Sequence, residues 1–347
     1  MPSADELRAA GYQILPAFAE PHAHLDKAFL AERVPNPSGD LMGAIMAMER
    51  AAGSITQADI ESRAERAARL MMANGVTAIR SHADTLGGHL DNVQALLAVR
   101  DRLRGEVTIQ VCALMHWPTT GPAGAGNRAA LAEAVAMGVD IVGGCPHLEH
   151  DPEASIEGFL QVAADSALPV DLHTDETLDP RMVTLGFLAE RVLATGFPNP
   201  VTASHCVSLG MQPEPEQRRI AEMVAEAGIS VIALPHTNLF LQGREQQVAM
   251  PRALTAVKAL RQAGVNVAAG ADNLQDPFNP LGRGDPLETA ALMVMAAHVS
   301  PDDALQMVTT AARTAMGLSP PDARVAVPSA TVREAIAFGP SGRIVIT

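Results

Sequence analysis

Short apolar runs and amphipathic stretches alternate along most of this chain. Ile14–Ala19 is the first run, Val76–Ser81 the second and Val107–Leu114 the third. Val139–Gly144, Leu168–Leu172, Val201–Ser204, Ile229–Leu234 and Val265–Gly270 follow. Runs of this length, bounded by turn residues and nearly apolar throughout, read as strands buried on both faces. Between them lie stretches with helical spacing, several closed by glycine: Asp91–Arg104 before Gly105, Arg128–Met137 before Gly138, Arg181–Thr195 before Gly196 and Pro251–Ala263 before Gly264. Glycine suits the left-handed residue that ends a helix. Thr56 with the residues after it offers a helix start, and Asn74-Gly75 a stop.

Alternating β and α elements imply a parallel sheet, because parallel strands need crossover connections. Eight such units predict a (β/α)8 TIM barrel over residues 14 to about 300, an open doubly wound sheet being the second choice. Asp285–His298 and Asp302–Met316 supply the last helices. We place the barrel unit at 1–317 and a tail at 318–347, whose Ala323–Val327 and Arg343–Ile346 suggest two short strands outside the barrel. The Met-rich Leu41–Met48 reads first as packing and second as a lid on a pocket.

Histidines change this picture from a scaffold to a site. Of eleven, eight (His22, His24, His82, His116, His147, His173, His205 and His236) fall at or just past the carboxyl ends of these strands. In a barrel those ends converge on the mouth where chemistry occurs. His22 and His24, one residue apart, project from the same side of an extended segment. With His173 and Asp272 they offer three imidazoles and one carboxylate, a set that suits one divalent ion, Zn or Fe. Glu176, three residues past His173, is placed to move a proton.

Composition narrows the partners. Net charge is −14 and no Lys/Arg run occurs, which argues against nucleic acid or an anionic membrane. Three cysteines without close spacing read as reduced thiols, and no secretory signal or long apolar span is visible, so a cytoplasmic location is expected. A homo-oligomer is left open. Gly124–Ala129 resembles a dinucleotide loop, but Asp140 precedes its strand instead of ending it. His-Glu-x-x-His and Gly-x-Ser-x-Gly are absent.

The chain resembles the amidohydrolase superfamily, and within it the cytosine deaminase-like group. The resemblance rests on Glu20–Asp26, His173–Glu176, Ala203–His205, Asn238–Arg244 and Asp272–Phe278, in that order. It implies a mononuclear site held by His22, His24, His173 and Asp272, with Glu176, His205 and Asp272 catalytic. A water made nucleophilic there would displace ammonia or an amine from a pyrimidine- or triazine-like N-heterocycle. Lys27, His116, Asn238 and Asn273 would contact the substrate. Cytosine deaminases usually carry an aspartate where Asn273 stands and a glutamine near His116, and they begin with a longer β segment. Lys27 with Asn273 looks more like the N-isopropylammelide isopropylaminohydrolases; the alternative for Lys27 is a solvated loop lysine. Cyclic amide hydrolysis and a ligand-binding barrel without catalysis are the other readings.

Overall fold

The structure is a computed structural model that describes residues 2–346; Met1 and Thr347, the ends of the expected barrel and tail units, lie outside the described residues. Strand β1 (Gln13–Pro16) is followed by β2 (Phe18–Ala23), β3 (Val76–Asp84), β4 (Thr108–Met115), β5 (Ile141–Gly144) and β6 (Val170–Thr174). Then come β7 (Val201–His205), β8 (Ser230–Ala233), β9 (Val267–Ala269), β10 (Arg324–Val327) and β11 (Ile344–Ile346). The eight strands β2 to β9 form one sheet in sequence order, every ladder parallel. A bridge between Ala23 and Asp272 brings its two ends together. The expected (β/α)8 barrel is present.

Its first strand is not where hydrophobicity alone places it. The apolar run Ile14–Ala19 divides between two sheets: β1 pairs antiparallel with β10, which pairs with β11, and the barrel strand begins at Phe18. Burial separates the halves. Only Leu15 is buried in β1, as in a strand with one wet face, whereas every residue of β2 is buried. The two tail strands are present, and both ends of the chain build their small sheet.

Three helices are shorter than their spacing predicts. Of Arg181–Thr195 only Leu185–Thr195 is helical. Only Val257–Gln262 of Pro251–Ala263 is helical; Ala253 sits at φ 52°, outside the right-handed helical region. Asp302–Met316 breaks into Pro301–Met307 and Thr310–Ala315, with Thr309 at φ −128°, ψ −97°. The break has a use: Ala19 N–H in β2 donates to Val308 O, and the second helix closes the floor of the barrel. Arg80 and Thr202, from the barrel interior, donate to the carbonyl of Ala315, and Gln110 to that of Met316. These bonds satisfy helix-end carbonyls that have no intrahelical donor.

Helix Leu41–Ala51 starts at Asp40, whose side chain accepts from Gly43 N–H. Its Ala44, Ile45, Ala47 and Met48 pack into a small core with Leu30, Leu241 and Phe278, while Met42 and Met46 stay exposed. Among the described residues no helix is long and apolar enough to cross a membrane.

Candidate active site

Polar residues at period two inside apolar strands build the barrel mouth. Glu20 and His22 lie on β2, with His24 next in phase; Arg80 and His82 lie on β3, Asp171 and His173 on β6. All are buried. His205 breaks the phase, since strand alternation would put it opposite Ser204. It sits at φ 69°, a left-handed conformation that re-aims its ring inward.

Five imidazoles, those of His22, His24, His82, His173 and His205, interlock with ring centroids 4.0–5.6 Å apart. One ligand atom each from His22, His24, His173 and Asp272 lies within 4.8 Å of the others. His24 Nε2 is 3.2 Å from His173 Nε2 and 3.2 Å from Asp272 Oδ1, and His22 Nε2 is 3.4 Å from the same oxygen. His22 Nε2 and both Asp272 oxygens are buried with no hydrogen-bond partner. Burial and the Lys27 charge lower His24 to about 3, and burial and neighbouring imidazoles hold His173 well below the usual range. Burial pushes the Asp272 carboxyl up, but His22 and His24 outweigh it and keep it ionised. Imidazole nitrogens converging on one carboxylate oxygen, each able to present a lone pair, suit a cation.

Behind His22 runs a chain of hydrogen bonds. Its Nδ1 is 2.9 Å from Ser204 Oγ, which donates to Asp171 Oδ1 at 2.8 Å. Asp171 Oδ2 accepts from Arg80 at 2.7 Å. Since the Ser204 proton points at Asp171, Ser204 Oγ must accept from His22, placing the ring proton on Nδ1 and the lone pair on Nε2. His82, at 3.7 Å from Asp171, lies beside this chain with both ring nitrogens unpartnered.

The other candidates separate into cavity wall and support. A cleft enclosing about 520 Å³, its open mouth included, is lined by Lys27, His116, Glu176, His205, Asp272 and Asn273 together with His24 and His173. Lys27 is not a solvated lysine. It is buried, 3.3 Å from Asp84 Oδ2 and 4.5 Å above the Phe278 ring centre. Burial alone would lower its pKa, but Asp84, Asp26, Asp276 and Asp272 raise it. His116 stacks on Trp117 at 4.2 Å. Asn273 accepts from Thr237 and donates to Asp276.

Glu176 Oε1 is 3.6 Å from His205 Nδ1, and burial and then Asp272 push its carboxyl well above the usual range, against the pull of Lys27. Burial lowers His205 to about 3. Asn238, expected at the substrate, is instead fully buried behind His205, its Oδ1 3.0 Å from His205 Nδ1, and is absent from the cleft lining. That bond puts the His205 proton on Nδ1 and leaves Nε2 a lone pair, 3.9 Å from Asp272 Oδ2. His147 and His236 support from outside: His147 Nδ1 holds the His173 carbonyl at 3.0 Å, and His236 Nε2 is 3.1 Å from Thr289 Oγ1. Sequence reasoning missed Asp84 and Trp117 in the wall, while Leu41 and Ile45 line it from the segment whose second reading was a lid on a pocket. It also missed Asp171 and Arg80, although period two within β6 and β3 marks both.

Residues 46–320, more than three quarters of the chain, match the amidohydrolase family. The chain belongs to the amidohydrolase family. It is thus a metal-dependent hydrolase acting on carbon–nitrogen bonds, as the resemblance in the motifs implied. This amidohydrolase is 35% identical to the pterin deaminase of Rhizobium rhizogenes over 320 residues, 90% of this chain and 72% of that protein. Among solved structures it is similar to 5-methylcytosine deaminase from Klebsiella pneumoniae, liganded with phosphonocytosine. Identity there is 30%, with a TM-score of 0.89 over 96% of this chain and 85% of that one. N-isopropylammelide isopropylaminohydrolase from Burkholderia multivorans is 29% identical, with a TM-score of 0.80 over 97% of this chain and 86% of that one.

Proposed function

We propose that this amidohydrolase removes ammonia or an amine from an aminated N-heterocycle of the pyrimidine, pterin or triazine kind, by hydrolysis. The observation that carries the reading is Glu176 at 3.6 Å from His205, both lining the same cleft as His24, His173 and Asp272, with burial holding the Glu176 carboxyl well above its usual range. His22, His24, His173 and Asp272 would hold one Zn or Fe ion. Such an ion acts as a Lewis acid and acidifies water toward neutrality.

The chain's own groups then divide the proton work. His205 Nε2 and Asp272, 3.9 Å apart, would accept protons from the attacking water. Glu176, kept protonated by burial, gives its proton to the ring nitrogen, so negative charge does not build on the heterocycle. Left ionised by that transfer, Glu176 would take up one proton of the attacking water and pass it to the departing amine. The second water proton, accepted by His205 or Asp272, would return to Glu176. Asn238 fixes the His205 tautomer instead of touching substrate. Lys27, anchored by Asp84 and Phe278, presents a cation to a ring carbonyl or anionic ring edge, and His116 and Asn273 complete the wall. Relatives whose names refer to pterin, 5-methylcytosine and N-isopropylammelide support this substrate class.

A screen of aminopyrimidines, pterins and alkylamino-triazines for ammonia or amine release tests the proposal, alongside metal analysis. About one Zn or Fe per chain is expected, with turnover lost on chelation and restored by metal. Ring opening of a cyclic amide without amine release would replace the reading, and ligand binding without any turnover would remove it. Within the class, Asn273→Asp and His116→Gln should shift preference toward cytosine.

A further inference from the structure

Seven junctions of the barrel carry parallel ladders, and the eighth does not. Between β9 and β2 only Ala23 and Asp272 pair. Asp272 N–H donates to His22 O at 2.9 Å, and His24 N–H donates to Asp272 O at 3.0 Å. Three of the four candidate ligands therefore sit on the weakest seam of the sheet. Asp272 adds strain, since its φ of 65° lies in the left-handed region. A residue other than glycine holds that conformation only when its surroundings over-determine it.

One side chain does the work of the missing ladder. Both oxygens of the Glu20 side chain accept from Ala271 N–H, each at 3.1 Å, and Oε1 accepts from His22 N–H at 3.2 Å. It thus bonds the residue before Asp272 and the backbone of His22 at once. Gly270 makes the approach possible: a Cβ there would lie 2.6 Å from Glu20 Oε1. Glu20 is itself buried, touches none of the four ligand atoms and does not line the cleft.

We infer that Glu20 is a positioning residue, whose side-chain oxygens clasp the seam between the first and last barrel strands and so set the mutual geometry of His22, His24 and Asp272. This rests on the reading of those residues as metal ligands. Its test uses the metal alone: Zn(II) affinity by competition with a chromophoric chelator, and the visible spectrum of the Co(II)-loaded protein, which reports ligand geometry.

Glu20→Ala should bind Zn(II) 10–100-fold more weakly, the range seen when a group orienting a ligand is removed, and should alter the Co(II) bands. Glu20→Gln keeps an acceptor at Oε1 and should restore most of the affinity and the wild-type bands. If Glu20→Ala does not fold, Gly270→Ala displaces the carboxylate with one methyl group and should give the same two changes. Wild-type affinity and spectrum in whichever of these folds overturns the inference, as does a Gln variant no better than Ala. A wild-type protein that takes up neither Zn(II) nor Co(II) refutes the four-ligand site first, and the clasp with it.

Discussion

Ser204→Ala removes one hydroxyl and no backbone, yet it should weaken metal binding through a residue that touches no metal. In the native site the hydroxyl accepts the Nδ1 proton of His22 at 2.9 Å and passes its own to Asp171 at 2.8 Å. Without it, a buried Nδ1–H has no acceptor whenever Nε2 is free to bind a cation. The apo protein escapes this cost by moving the ring proton to Nε2, which faces Asp272 at 3.4 Å. The Nδ1–H penalty therefore falls on the loaded state alone, while the lost bond to Asp171 Oδ1 costs the apo and loaded states alike. An unsatisfied buried donor costs about 1–3 kcal/mol, and a factor of 10–100 in affinity corresponds to about 1.4–2.7 kcal/mol. Asp171 keeps Arg80 at 2.7 Å, so the barrel floor should hold. The assay is Zn(II) competition against a chelator, with thermal unfolding of the apo protein beside it. Affinity within twofold of wild type would refute the reasoning. So would a lower apo melting temperature with unchanged metal affinity, since the hydroxyl would then serve the fold and not the ligand.

Glu176→Gln should lower turnover about 10²–10⁴-fold while leaving metal content intact, measured as amine release and metal per chain; retained turnover would remove Glu176 from the proton path. Burial lowers His147 to about 4, so between its unfolded value near 6.5 and about 4 the unfolded chain binds a proton that the native chain refuses. The stability of wild type relative to His147→Gln should thus be complete above pH 6.5 and fall by about 1.4 kcal/mol per pH unit as pH drops through that window. Urea midpoints of both apo proteins at pH 7 and pH 5 check this, and an unchanged difference contradicts it. Gly210→Ala would set a Cβ 2.1 Å from the backbone oxygen of Leu254, which cannot swing aside as a side chain can. A loss of about 1–3 kcal/mol is expected, read by denaturant unfolding, with wild-type stability counting against the packing.

Eight parallel strands, their order and the four-residue cluster proposed to hold the metal were legible because each has a local signature. Buried strands are short and apolar, glycines stop the helices, and His22, His24, His173 and Asp272 stand at strand ends. Glu176 and His205 were legible by the same rule, although for His205 the strict strand period gives the wrong face. The misplacements have a common cause. Assigning Ile14–Ala19 to one strand, or Asp302–Met316 to one helix, follows local pattern. Pairing with a tail 300 residues away and capping by Val308 O decide where those elements break. Asn238 shows the limit for roles: its motif marks it as part of the site, but only packing puts His205 between it and the cleft.

The sequence by itself determined which chemistry is available here, because residue type and strand phase are local properties that need no partner to be read. Only the tertiary structure decided how that chemistry is held. The chain from Arg80 through Asp171 and Ser204 to His22 joins four strands, and the bonds of Glu20 to Ala271 span 251 positions. Such contacts leave no spacing in the sequence, since closing a barrel brings together side chains that the chain itself keeps far apart.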